Sequence, residues 1–133
     1  MDERVEVAIL YVALNALLMF ALALNVGLRR GAQKQLQPGD TGDPLLTRAI
    51  RAHANFAEYA SLVLLLLLGM ALLGAAELWL HLFGGIFTAG RVLHALGMMR
   101  ERHPNAVRFL GNLVTGLALL LGAGSCLWLS LGS

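Results

Sequence analysis

Cysteine is nearly absent from this sequence: Cys126 is the only one, so an internal disulfide and a multi-cysteine metal site are both excluded. It lies in an apolar run, where a lone cysteine behaves as a small buried hydrophobe. Charge is scarce as well. Only 14% of the 133 residues are charged and 58% are hydrophobic, against roughly 25% charged in an average soluble domain. That balance excludes an ordinary water-soluble fold. Aromatic residues make up 7%, the formal net charge is +2, and the basic residues form no long run. Nucleic acid is therefore not an expected partner, and no metal site is expected either.

What the chain does have is apolar length. Four apolar segments run over about 5–28, 59–76, 78–99 and 109–131, each near the ~20 residues a helix needs to cross the hydrocarbon core. With their polar lead-ins they predict helices at 5–28, 48–76, 78–99 and 106–131 in one domain, 1–133, an all-α integral membrane bundle of four transmembrane helices. The first segment follows Asp2, Glu3 and Glu6, is longer than a signal-peptide core and lacks a convincing cleavage site, so it reads as a retained span. "RRGAQKQLQPGDTGDPLLTR" is the sizeable linker, "RERHPNAVR" is a short one, and a tight turn is expected from Gly74 to Glu77.

Basic residues near the span ends set the orientation. Arg29, Arg30, Lys34, Arg48 and Arg51 flank the first connection and Arg100, Arg102 and Arg108 the second, while the opposite side holds Arg4 and a cluster of acids. Both connections are thus expected in the cytoplasm and both termini outside.

The charged residues within the spans carry the chemistry. Arg51, Asn55 and Glu58 stand at i, i+4 and i+7 on one stripe of the second helix; Arg91, His94 and Met98 stand at i, i+3 and i+7 on the third. A charge inside a span costs at least ~2.5 to 3.5 kcal/mol on insertion scales, so such groups face a bundle interior, a partner or a wet cavity. An ion pair of Glu58 with Arg51 or Arg91 that only fixes helix register is one reading. The other starts from charge balance. One carboxylate against Arg51, Arg91 and the nearby Arg30 and Arg108 leaves positive charge over, which suits an anionic ligand, and Glu58 offers an ammonium site, which suits a zwitterion.

"RAHANFAEY" followed some thirty residues on by "GRVLHALG" resembles the MAPEG family, the membrane-associated proteins of eicosanoid and glutathione metabolism, and is most similar to small bacterial members. The resemblance covers essentially the whole chain. It implies a homotrimer that binds glutathione, as co-substrate, in clefts between subunits, in a bacterial inner membrane with the site facing the cytoplasm. On it, Arg51, Asn55, Glu58 and Tyr59 match glutathione contacts of the second helix, Arg91 that of the third, and Arg30 a further basic contact. His94 stands where relatives place a histidine or tyrosine near the ligand, and His53, off the main stripe, is a weaker candidate.

Conjugation needs a thiolate, because a free thiol with a pKa of ~8.5 is a poor nucleophile. In catalytic members an arginine near the start of the fourth helix stabilises it. Arg108 is the match here, with Arg102 as the fallback and snorkelling at the membrane boundary as the competing role. Met98 and Ser61 depart from a tyrosine and a proline common in relatives. The implied activity is a membrane glutathione transferase or peroxidase acting on lipophilic electrophiles or lipid hydroperoxides drawn from the bilayer; the alternative is a noncatalytic glutathione- or lipid-binding protein of the same fold. Outside the resemblance, a proton-coupled carrier centred on Glu58, or a haem held by His53 and His94, would also use membrane-embedded ionisable groups.

Overall fold

The computed structural model describes residues 2–32, 42–100 and 105–132. Every regular element within them is an α-helix: α1 (Glu3–Ala32), α2 (Pro44–Leu72), α3 (Glu77–Met99) and α4 (Ala106–Leu131). Lys34 and Arg102 lie outside the described residues.

The helix ends follow local chemistry rather than the limits of the apolar runs. α1 overruns 5–28 at both ends, with Glu3 and Glu6 in its first turn and Arg29 and Arg30 in its last, each sign complementing the helix dipole. α2 starts ahead of residue 48. The Asp43 side chain accepts from the backbone N–H groups of Leu45 (3.2 Å) and Leu46 (3.1 Å), and Pro44 occupies the first turn, where its missing N–H costs nothing. α2 also stops at Leu72 rather than Ala76. Gly74 takes φ 83°, and the Ala75 N–H reaches back to the Met70 carbonyl at 2.9 Å while that of Gly74 reaches Ala71 at 3.2 Å. That paired pattern is a Schellman stop, which a left-handed glycine permits. Asn105 opens α4 by accepting from the Arg108 N–H at 2.8 Å, and its Nδ2 donates to the Gly97 carbonyl at 2.9 Å, tying the start of α4 to the last turns of α3.

α2 and α3 form the central pair. Each packs against the other and against both flanking helices, whereas α1 and α4 do not meet among the described residues. Ala52, Phe56, Ala60, Val63, Leu67 and Met70 recur at three- and four-residue spacing on the buried face of α2. α3 and α4 approach closely because a side chain is missing where they cross: a Cβ on Gly111 would stand 2.6 Å from the Cβ of His94 and 2.7 Å from the Gly90 carbonyl.

The outer surface is apolar, with Leu120 73% and Trp128 80% exposed. All four helices are long and apolar enough to cross a membrane. In water this surface would be an aggregation liability; in lipid it is matched solvent.

Candidate functional site

Arg91 is the centre of the site. It lies on α3 and is 1% exposed. Its Nη2 donates to Asn55 Oδ1 on α2 at 3.0 Å, and its Nη1 donates to Thr115 Oγ1 on α4 at 3.1 Å. The guanidinium carbon sits 5.2 Å from the centre of the Phe56 ring, a cation–π contact at the same junction. One side chain thus joins three helices. Thr115 passes its own hydroxyl proton to the Gly111 carbonyl at 2.9 Å, so its oxygen is free to accept from Arg91.

No carboxylate balances this cation among the described residues, where the only ion pair is the one between Arg4 and Asp2. The register-fixing pairs of Glu58 with Arg51 or Arg91 do not form. A buried guanidinium held by neutral acceptors keeps most of its field, and its Nε has no hydrogen-bond partner among the described residues.

The bond to Arg91 also fixes the Asn55 amide. A guanidinium only donates, so the atom facing it must be the carbonyl oxygen, and the Asn55 NH2 group is turned the other way. A recess of about 200 Å³ between α2 and α4 is lined by Asn55, Tyr59, Asn112, Thr115, Gly116 and Leu119. Tyr59 is 40% exposed at its edge.

The remaining residues named from the sequence fall into three groups. Arg51 and Glu58 lie on the exposed outer side of α2, without ion-pair partners among the described residues. His94 is enclosed at 1% exposure, packed against Gly111, with its Nδ1 unpartnered among the described residues; Met98 is buried one turn on. Arg108 is exposed in the first turn of α4, Arg30 is half-buried in the last turn of α1, and His53 is half-buried on α2. Since α1 and α4 do not touch among the described residues, the helices bearing Arg30 and Arg108 do not meet within the chain.

Thr115 and Asn112 were not singled out from the sequence. The signal was there: Arg108, Asn112 and Thr115 stand at i, i+4 and i+7 on α4, the same spacing as Arg51, Asn55 and Glu58 on α2.

A second polar cluster joins α1 to α3. Asn15, fully buried, donates to Thr88 Oγ1 at 2.7 Å and to the Tyr11 carbonyl at 2.9 Å, Thr88 donates to the Gly84 carbonyl at 2.7 Å, and the Tyr11 hydroxyl meets His81 Nδ1 at 3.1 Å. Neither Asn15 nor Thr88 lines the recess.

A family model described as "MAPEG family" matches residues 8–128. The inner membrane protein YecN of Escherichia coli (strain K12) is 35% identical over 124 residues, spanning 92% of this chain and 91% of its own. The protein of the same name from Escherichia coli O6:H1 (strain CFT073) matches with the same identity and coverage.

Proposed function

This chain belongs to the MAPEG family, and on that premise we propose that it is an inner-membrane glutathione transferase that binds glutathione at its cytoplasmic side, activates it as thiolate and directs it at lipophilic acceptors from the bilayer. The observation that carries this reading is the buried, carboxylate-free Arg91 locked to Asn55, with Arg51 and Glu58 left uncommitted on the same stripe of α2.

The charges suit the ligand. Glutathione brings two carboxylates, one ammonium and two amides. Arg51 and Arg30 are cations for the carboxylates, Glu58 is an anion for the ammonium, and the Asn55 NH2, turned from Arg91 by the bond to its oxygen, is a donor for an amide carbonyl. Tyr59 lines the recess beside Asn55, whereas His94, enclosed on α3, is not part of that lining. Arg108 acts on the sulfur: a fixed cation beside a thiol favours the thiolate, the reactive form in conjugation and in peroxide reduction alike. With α1 and α4 apart in one subunit, a ligand that uses both Arg30 and Arg108 favours a cleft shared between subunits, and we propose the homotrimer on that ground and on family likeness.

Isothermal titration with glutathione tests the binding half. Arg51→Ala and Glu58→Ala are expected to abolish measurable binding while the purified protein keeps the assembly state of the parent. Parent-like affinity in both variants overturns the site assignment.

A further inference from the structure

α1 and α3 run in the same direction, and their contacts keep step: Tyr11 meets His81, Asn15 meets Thr88 and Asn25 meets Met99. Both helices therefore end together, on the side expected to face the cytoplasm. There the seam is held weakly. Asn25 Nδ2 reaches Met99 Sδ at 3.9 Å, and a thioether sulfur is a poor acceptor. The oxygen of the same amide is better used, since Asn25 Oδ1 accepts from Arg29 Nε at 3.0 Å.

That bond anchors the arginine. With Nε committed one turn back, the half-buried Arg29 side chain keeps the four N–H donors of its two terminal nitrogens. Neither nitrogen has a partner among the described residues, and neither is sealed inside the protein. A planar fork held in this way suits two oxygens of one phosphate. Arg100 follows Met99 directly at the end of α3 and is exposed. Each helix C-terminus brings about half a negative charge, which offsets part of the two guanidinium charges and leaves a positive balance. No carboxylate on the described residues of α1 or α3 shares this end. Glu3 and Glu6 open α1 and Glu77 opens α3, and from Glu77 to Arg100 the chain runs roughly 35 Å at about 1.5 Å per residue. Just inside the charged ends the surface turns apolar, with Leu24 and Leu28 of α1 and Val92 and Leu96 of α3 exposed.

A cationic fork at a membrane boundary, with apolar side chains beside it, has the chemistry of a phospholipid site. A zwitterionic headgroup brings an ammonium that finds no carboxylate among the described residues of these two ends, whereas a headgroup of net negative charge meets cations alone. The geometry points to a binding site for an anionic phospholipid at the joined ends of α1 and α3, its phosphate on the Arg29 fork and its acyl chains along the exposed leucines. The bound lipid supplies the charge-assisted tie that the Asn25–Met99 contact lacks. The site does not draw on the glutathione reading.

Native mass spectrometry of the detergent-purified full chain tests it, by titration with phosphatidylglycerol and, in parallel, with phosphatidylethanolamine of the same acyl chains. The parent should bind the anionic lipid roughly tenfold more tightly, the scale of one hydrogen bond to a charged group. Arg29→Ala should bind the two lipids alike. Asn25→Leu leaves every charge in place and releases the arginine, so the preference should fall severalfold; this variant separates a built site from a diffuse field. Arg48→Ala removes the same charge from the start of α2, at the same end of the bundle, and should stay within about twofold of the parent. Equal affinities for the two lipids in the parent overturn the site, and so does a parent-like preference in Arg29→Ala or Asn25→Leu. Equal losses in Arg29→Ala and Arg48→Ala overturn it as well, because they leave only the general attraction of a basic surface for anionic lipid. Should Arg29→Ala fail to purify as a helical protein, Arg29→Gln carries the same comparison.

Discussion

Two polar clusters interrupt the apolar packing of this bundle, and they are built on opposite terms. Between α1 and α3, Asn15, Thr88, Tyr11 and His81 spend their donors on one another and on the backbone: the Asn15 amide protons go to a hydroxyl and a carbonyl, and the Thr88 proton to Gly84, while the Asn15 Oδ1 has no partner among the described residues. The cluster contains no arginine, lysine or carboxylate and spends its hydrogen bonds on joining two helices, as polar groups in membrane bundles commonly do. Around Arg91, three helices meet on a formal charge with no carboxylate opposite it among the described residues, and Asn55, Asn112 and Tyr59 line a recess beside it. A cluster whose donors are spent fastens helices. An open one, with a field behind it, has capacity left for a ligand, and that capacity separates a binding site from a rivet.

The contrast breaks most severely at Arg91→Leu. Its loss strands Asn55 Oδ1 and deprives Thr115 of its donor, so unfolding in detergent should become easier by about 2–6 kcal/mol, from two unpaired groups at about 1–3 kcal/mol each. Glutathione binding should vanish with it, because the Asn55 amide is no longer held and the cation is gone. Gly111→Ala strikes the same junction through packing alone. A Cβ 2.6 Å from that of His94 forces α3 and α4 apart, and the expected destabilisation is about 1–3 kcal/mol, read from the same unfolding curve. Asn15→Leu sharpens the comparison from the other side. A membrane hydrogen bond is worth about 0.6 kcal/mol on average, so a small stability change with unaltered glutathione affinity is expected. A large loss of affinity from that substitution would show the α1–α3 cluster to be coupled to the site.

Much of this was written plainly in the sequence. A chain with 14% charge and four apolar runs near bilayer length has few folds open to it, and the motifs "RAHANFAEY" and "GRVLHALG" carry a family likeness that holds over residues 8–128. Helix boundaries were less legible because hydropathy does not mark them. Asp43 and Pro44 look like linker in composition yet form a cap and a first turn, and the apolar run through Ala76 conceals a stop made by the backbone of Gly74. In the site, the stripe on α2 could be read from spacing, but the partner of Arg91 could not. Glu58 was the obvious candidate by charge, whereas the structure pairs Arg91 with Asn55 and Thr115. Which neutral acceptor meets a buried arginine depends on how closely α4 approaches α3, set by a glycine at residue 111 that in sequence is one of 15. Asn112 escaped notice for the same reason, since its place beside Asn55 and Tyr59 appears only once α2 and α4 enclose a recess.

The central claim is that the cytoplasmic end of this bundle turns glutathione into a nucleophile. It is tested most directly by an ultraviolet difference spectrum of the purified, detergent-solubilised protein titrated with glutathione at neutral pH, with Arg108→Ala measured alongside. The account predicts a saturable thiolate absorbance in the parent protein that is lost in Arg108→Ala while glutathione affinity stays nearly unchanged. Saturable glutathione binding without thiolate absorbance would contradict it and leave a noncatalytic binding protein in its place.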